Sequence, residues 1–183
     1  MSVGATNWRG GVQGTEHLLE LGHRRLAFVG GPPDSTPAGE RLAGFRSALE
    51  AAGVDAGSAT VRAGAFRYDD GLACAPMLRT GDRPTAIFAA SDDVALGVLE
   101  AARQVGLRVP EDLSVMGFDD TFAAHAASPQ LTTVRQPLTQ MGRMAIHAAV
   151  DGIRTGARPT PPIQMETTLI ARNSTTVAPP VVG

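Results

Sequence analysis

The 183-residue chain has a single cysteine, so Cys74 has no internal disulfide partner, and a reducing compartment suits it. Basic residues are not in excess: 16 Lys and Arg face 18 Asp and Glu, a formal charge of −2. That balance excludes a nucleic-acid footprint and a polybasic membrane patch on these residues. No apolar run reaches the roughly 18 residues of a membrane helix, and the N-terminus lacks the apolar core of a signal peptide. The expected location is cytoplasmic, with no membrane partner. Phosphate loops are missing too. Gly30 and Gly31 run into Pro32 and Pro33, which have no backbone N–H to offer, and neither GxGxxG nor GxxxxGK[ST] occurs. His17, His23, His125 and His147 show no metal-ligand spacing. No metal, cofactor or catalytic residue is therefore expected, and the chain does not read as an enzyme.

What is present is a compositionally ordinary folded chain, 43% hydrophobic and 19% charged, too apolar for disorder. It is long enough for one core or two small lobes. Short β-type runs recur: LAFV at 26–29, ATV at 59–61, AIFAA at 86–90 and LSVMGF at 113–118, with LTTV at 131–134 a fifth. SVGATN at 2–7 reads as a strand end running straight into a helix over 10–21. Helical spacing follows over 38–52, 69–79, 92–105 and 138–154, with glycines at 22, 53 and 106 as stops. Pro76 predicts a break inside the third of these helices. A Pro-rich linker at 159–162 precedes a strand over 163–171, and the tail from Asn173 is expected to fray. Strands alternating with helices predict an α/β fold on a parallel, doubly wound sheet.

In such a sheet the C-terminal strand ends open into one crevice, where ligands bind. The residues after the first four runs suit a hydroxylated ligand: Arg41, Phe66, Ser91 with Asp92, and Asp119 with Asp120. Arg41 is a planar fork that can grip two oxygens; the bland alternative is a solvated surface arginine. Asp119 is an acceptor for ligand hydroxyls, or else a turn-former. Ser91 and Asp92 also suit a helix N-terminus. Phe66, among Gly64, Ala65 and Arg67, can cover a ligand face or fill a core. Cys74 reads as an inert packed thiol. Over 92–105 a second apolar stripe containing Leu96 and Leu99 is free to meet another helix or a second subunit.

GHRRLAFVGGP (22–32), RLAGFRSALEAAG (41–53), AIFAASDDVALGVLEAARQVGLRVPEDLSVMGFDD (86–120) and LTTVRQP (131–137) occur in an order that resembles the lactose-repressor (LacI/GalR) family of bacterial transcription regulators. The resemblance runs from about residue 2 to 175. It implies a type I periplasmic-binding-protein-like fold of two lobes, a small-molecule effector between them, usually a sugar or glycoside, and a homodimer. It assigns effector contacts to Arg41 and Asp119, ring stacking to Phe66, and hydrogen bonding to Ser91 and Asp92, where the family often has Asn-Asp. Gln136, Leu138 and Met141 fall on the hinge side of the pocket. Many members carry Asp-Asn at the N-lobe strand end, a place assigned here to Ala5 and Thr6. The family's helix-turn-helix head, through which it meets operator DNA, has no counterpart in these residues.

The implied layout is a complete C-lobe over 23–130 and a partial N-lobe, with 1–22 as a remnant, 131–175 as its return segment and 176–183 as a flexible tail. That partial lobe is expected to expose apolar surface and to be poorly ordered, rearranged or covered by a partner chain. A transport-type sugar-binding protein of the same fold is the alternative; a secretion signal would favour it. A hydrolase or nucleotide enzyme on the same sheet would need a nucleophile, phosphate loop or metal cluster.

Overall fold

The structure, a computed structural model, describes residues 2–155 and 162–179. Eight strands and six α-helices alternate along them: β1 (Val3–Ala5), α1 (Asn7–Glu20), β2 (Leu26–Val29), α2 (Thr36–Ala51), β3 (Thr60–Arg62), α3 (Tyr68–Leu72), β4 (Ala86–Ala89), α4 (Asp92–Gln104), β5 (Ser114–Asp119), α5 (Phe122–Ala126), β6 (Thr132–Arg135), α6 (Leu138–Thr155), β7 (Ile163–Met165) and β8 (Thr168–Ile170). Six strands form one sheet in the order β3-β2-β4-β5-β6-β8, parallel throughout except where β8 pairs antiparallel with β6.

Side-chain alternation along the central strands divides the interior in two. Ala27, Val29, Ile87, Ala89 and Val115 face a core closed by Val94, Val98 and Ala101 of α4. Leu26, Phe28, Phe88 and Met116 face the opposite way, against Leu18 of α1 and Phe45 and Leu49 of α2. Both faces are covered, so β2 and β4 read as unbroken apolar runs with every residue buried.

Sequence grouped residues 1–22 with the other lobe, yet α1 packs on this sheet. Gly10, Gly11 and Gly14 let it lie flat: a Cβ at Gly14 would sit 2.7 Å from the Phe88 ring and one at Gly11 would sit 2.3 Å from the Arg41 carbonyl oxygen. β6 and β8, from the 131–175 segment, complete the sheet's edge. β1 and β7 instead pair with each other, Val3 against Ile163, in a separate two-stranded parallel sheet beside α6. Ile146 and Ile153 of α6 are 66% and 85% exposed, so this smaller unit presents an uncovered apolar stripe. The strand expected over 163–171 is thus two strands, one for each unit.

Other departures are local. The helix expected over 69–79 stops at Leu72, and a short 3-10 turn, Met77–Arg79, follows Pro76. The short helix α5 was not foreseen. The described part of the tail is not frayed. Val115 and Ser174 exchange hydrogen bonds, the Thr176 N–H donates to Ser114 Oγ, and the Ala178 N–H donates to the Leu21 carbonyl. His23, with no exposed surface, lies within 3.0 Å of the Ser114 hydroxyl and the Thr176 carbonyl. Hydroxyl side chains sew the tail to the base of the sheet, a role that hydropathy patterns do not report. The expected linker residues 159–161 and the last residues, 180–183, lie outside the described residues. Cys74 is buried, and burial pushes its thiol pKa up. Among the described residues no helix is long and apolar enough to cross a membrane.

Candidate functional site: a ligand crevice at the strand ends

The chain leaves β2 toward α2 on one face of the sheet and leaves β4 toward α4 on the other. Between those two strands the loops diverge, the place where open α/β sheets form their crevice. Arg41 spans it. It lies on α2, is 5% exposed, and donates from Nη1 to the Ala90 carbonyl just past β4. Its Nε donates to Asn7 Oδ1 at 2.9 Å, and its guanidinium lies 3.8 Å from the Phe118 ring centroid and 5.8 Å from that of Phe66. Burial lowers the Arg41 pKa, while Asp119, Asp92 and Glu40 raise it; a guanidinium so placed stays charged.

Asp119 ends β5 and faces Arg41, with Oδ1 3.5 Å from Nη1. The same oxygen accepts a hydrogen bond from Gln136 Nε2 at 2.5 Å. Burial pushes the Asp119 pKa up to about 6, against the pull of Arg41 and the Gln136 hydrogen bond. Arg41 Nη2 and Asp119 Oδ2 have no protein hydrogen-bond partner among the described residues. The Arg41–Asp119 pair therefore keeps one donor atom and one acceptor atom that no protein group among the described residues engages.

Among the described residues three non-glycine residues have positive φ: Phe66 at 61° in the loop after β3, Asp119 at 115° at the end of β5 and Asp120 at 58° just past it. Such backbone costs of order 1–3 kcal/mol per residue and gathers at functional sites. Phe66 can bend back because Gly31 has no side chain; a Cβ there would lie 2.2 Å from the ring.

The remaining expected residues divide. Ser91 is buried and caps α4, accepting from the Val94 N–H at 3.3 Å. Its hydroxyl proton is still available to donate. Asp92 is not a crevice residue. It has no exposed surface, and its carboxylate accepts from the Thr121 N–H, the Thr121 hydroxyl and the Thr133 hydroxyl at 2.6–3.0 Å. Saturated in this way, it clamps the turn after β5. Gln136 joins the cluster through Asp119, at the crossing from β6 to α6. Leu138 and Met141 belong to α6 in the smaller unit, the first half exposed and the second half-buried. Leu96 and Leu99, both half-buried, line a surface groove of about 490 Å³ with Tyr68, Leu107 and Ala127.

Asn7 was missed. The place of the family's Asp-Asn was assigned to Ala5 and Thr6, but the residue bonded to Arg41 is Asn7, 7% exposed, which opens α1 two residues past β1. The strand-end rule applied to β1 would have found it. Among the described residues no cluster of side chains could hold a metal ion.

Comparison with known proteins shows the family of the fold. A family model described as the periplasmic binding protein-like domain matches residues 15–175. The chain is 43% identical over 175 residues to the HTH-type transcriptional regulator CelR of Thermobifida fusca, covering 94% of this chain and 51% of that protein. A solved transcriptional regulator CelR–cellobiose complex superposes with a TM-score of 0.89 at 41% identity, over 94% of this chain and 53% of that one. A LacI family transcriptional regulator from Enterococcus faecium with bound ribose gives 0.90 at 26% identity, over 97% and 65%. The chain spans about half the length of the curated relatives it matches.

Proposed function

This chain belongs to the periplasmic-binding-protein-like domains, in the form carried by LacI-type transcriptional regulators, and from that membership we propose that it captures a neutral sugar or glycoside as the effector unit of such a regulator. The observation that carries the reading is the Arg41–Asp119 pair with its free Nη2 and Oδ2. Neighbouring sugar hydroxyls are both donors and acceptors, so one can accept from Arg41 while the next donates to Asp119. The two charges cancel, which favours a neutral ligand over a carboxylate or an ammonium. Phe66 offers a ring face for the sugar's C–H surface, and Ser91 a hydroxyl donor.

The capture is coupled to regulation through the crossings between the two units, at Thr6, Gln136 and Thr167. A ligand shifts an open–closed balance only by its differential affinity for the two states. Gln136 suits that role, since it stands at a crossing and bonds the ligand-facing carboxylate. Operator contact is assigned to a helix-turn-helix head of the kind the relatives' names state. The protein acts as a regulator rather than an enzyme, in the cytoplasm, and as a homodimer through the groove at Leu96 and Leu99.

Calorimetry on the full chain with cellobiose and D-ribose tests the site. Hydrogen bonds to charged groups contribute about 1.5–3 kcal/mol, so Arg41→Ala and Asp119→Ala should each weaken binding by roughly 10- to 100-fold. Normal sugar affinity in both variants would refute the assignment.

A further inference from the structure

A second charged cluster lies next to the crevice wall. Asp120, whose side chain is 3% exposed, accepts from Arg172 Nη2 and from Arg135 Nε, each at 2.6 Å. His125 Nε2 lies 3.4 Å from the same carboxylate, and Arg172 Nη2 lies 3.1 Å and 3.4 Å from the two His125 ring nitrogens. Arg172 is itself anchored: its Nη1 donates to the Leu131 carbonyl at 2.7 Å and its backbone N–H to the Thr132 hydroxyl at 2.9 Å. Its side chain is 9% exposed, whereas that of Arg135 is 49% exposed. Water and salt screen the Arg135 contact far more.

The two arginines hold one end of a turn whose other end Asp92 holds through Thr121. Asp120, the residue the arginines hold, and Asp119 just before it both have positive φ. Aspartate enters that backbone region more readily than most residues but still at a cost, so the contacts around it help to hold it there.

We propose that Arg172 is a positioning residue for the sugar site: by pinning Asp120 it keeps the 119–121 turn in the left-handed conformation that aims the Asp119 carboxylate at Arg41. The inference rests on reading Asp119 as an effector contact. Arg172 touches neither Arg41 nor Asp119 and acts only through Asp120. Without the pin, Asp120 relaxes to ordinary φ, and the neighbouring carboxylate swings off its partner.

Calorimetry on the full chain with cellobiose and D-ribose reads this out in wild type, Arg172→Gln, and the double variant Arg172→Gln with Asp120→Gly. Misplacing one polar group lowers affinity, so Arg172→Gln should bind about tenfold or more weakly, at temperatures where the variant remains folded. Glycine takes positive φ without strain. The double variant should therefore recover most of the lost affinity, which a merely structural role for Arg172 would not produce. A crystal structure of Arg172→Gln supplies a second readout: the turn should lose its positive φ at Asp120, and Asp119 should leave Arg41.

Sugar affinity of Arg172→Gln within about twofold of wild type, no recovery in the double variant, or a variant crystal structure with the turn unchanged overturns the proposal. If Arg172→Gln fails to fold, Arg172→Lys carries the same test. Lysine keeps the charge but cannot reach the Leu131 carbonyl and Asp120 together. If wild type binds neither sugar, it is the effector reading that loses support, and the crystallographic readout alone decides the role of Arg172.

Discussion

Gly39 and Gly44 lie five residues apart on α2, and the same substitution should have opposite effects at the two. A Cβ at Gly39 would meet nothing within 4 Å, whereas one at Gly44 would lie 2.1 Å from the Trp8 carbonyl oxygen, 2.9 Å from the Val12 nitrogen and 3.0 Å from Gly11 Cα. Within a helix, Gly→Ala gains up to about 1 kcal/mol from propensity and unfolded-chain entropy. At Gly39 only that gain operates. At Gly44 the obstruction is backbone, which no rotamer change can clear. α1 and α2 must part by about 1 Å or more to restore ordinary contact, and overpacking of this kind costs about 1–3 kcal/mol. The clash outweighs the propensity gain. Each kcal/mol moves the melting temperature by about 2–4 °C in a chain of this size, so Gly39→Ala should melt slightly higher than wild type and Gly44→Ala several degrees lower. The same helix separation pulls Arg41 from Asn7, so sugar affinity should fall in Gly44→Ala and hold in Gly39→Ala. Thermal unfolding by circular dichroism, with calorimetry, measures both. A Gly44→Ala protein that melts at or above wild type would sink the account of the α1–α2 contact.

Three further outcomes are expected. Burial holds the Asp119 pKa up to about 6, so its neutral form suits the folded state, and its contribution to stability is present below the ordinary carboxylate range and lost as pH rises through about 6; ligand hydroxyls prefer the charged acceptor, so sugar affinity should run the other way, dropping between pH 7.5 and 5, and a pH-independent affinity would refute the role of its carboxylate. Burial, with a smaller push from the neighbouring His17, lowers the His23 pKa below its ordinary value against the Thr176 hydrogen bond; the unfolded chain then binds more protons just under pH 6.5, stability falls as pH drops through that window, and His23→Gln should flatten this slope in urea titrations. Leu99→Asp places a charge in the groove beside α4 and should turn a dimer into a monomer in analytical ultracentrifugation; an unaltered dimer would remove Leu96 and Leu99 from the interface.

The fold class was legible because buried parallel strands are continuous apolar runs and helix spacing has its own period. Asp119 was expected at the crevice because it closes an apolar strand, and Arg41, which lies inside α2, because the resemblance put an arginine there; the structure brings the two within 3.5 Å. The strand-end rule, applied uniformly, misjudged Asp92. Its position beside Ser91 is a strand end, but its carboxylate turns inward to Thr121 and Thr133, and nothing in the spacing tells an inward from an outward side chain. Asn7 escaped because β1 is only three residues long and belongs to the smaller unit. The tail was misread because its contacts are hydroxyl hydrogen bonds to the sheet base, which carry no hydropathy signal.

What the amino-acid order determined by itself is local: the strands, the helix stops at Gly22, Gly53 and Gly106, the cap at Ser91, and the set of polar residues delivered to one edge of the sheet. What only the tertiary structure decided is which of those residues meet. Arg41 and Asp119 are 78 positions apart in sequence yet 3.5 Å apart in space. Arg172 reaches Asp120 because β8 turns back antiparallel along β6. Periodicity specifies the face a residue occupies. Pairings between faces depend on strand order and register, and they separate the residues left open to a ligand from those, such as Asp92 and Arg172, that hold them in place.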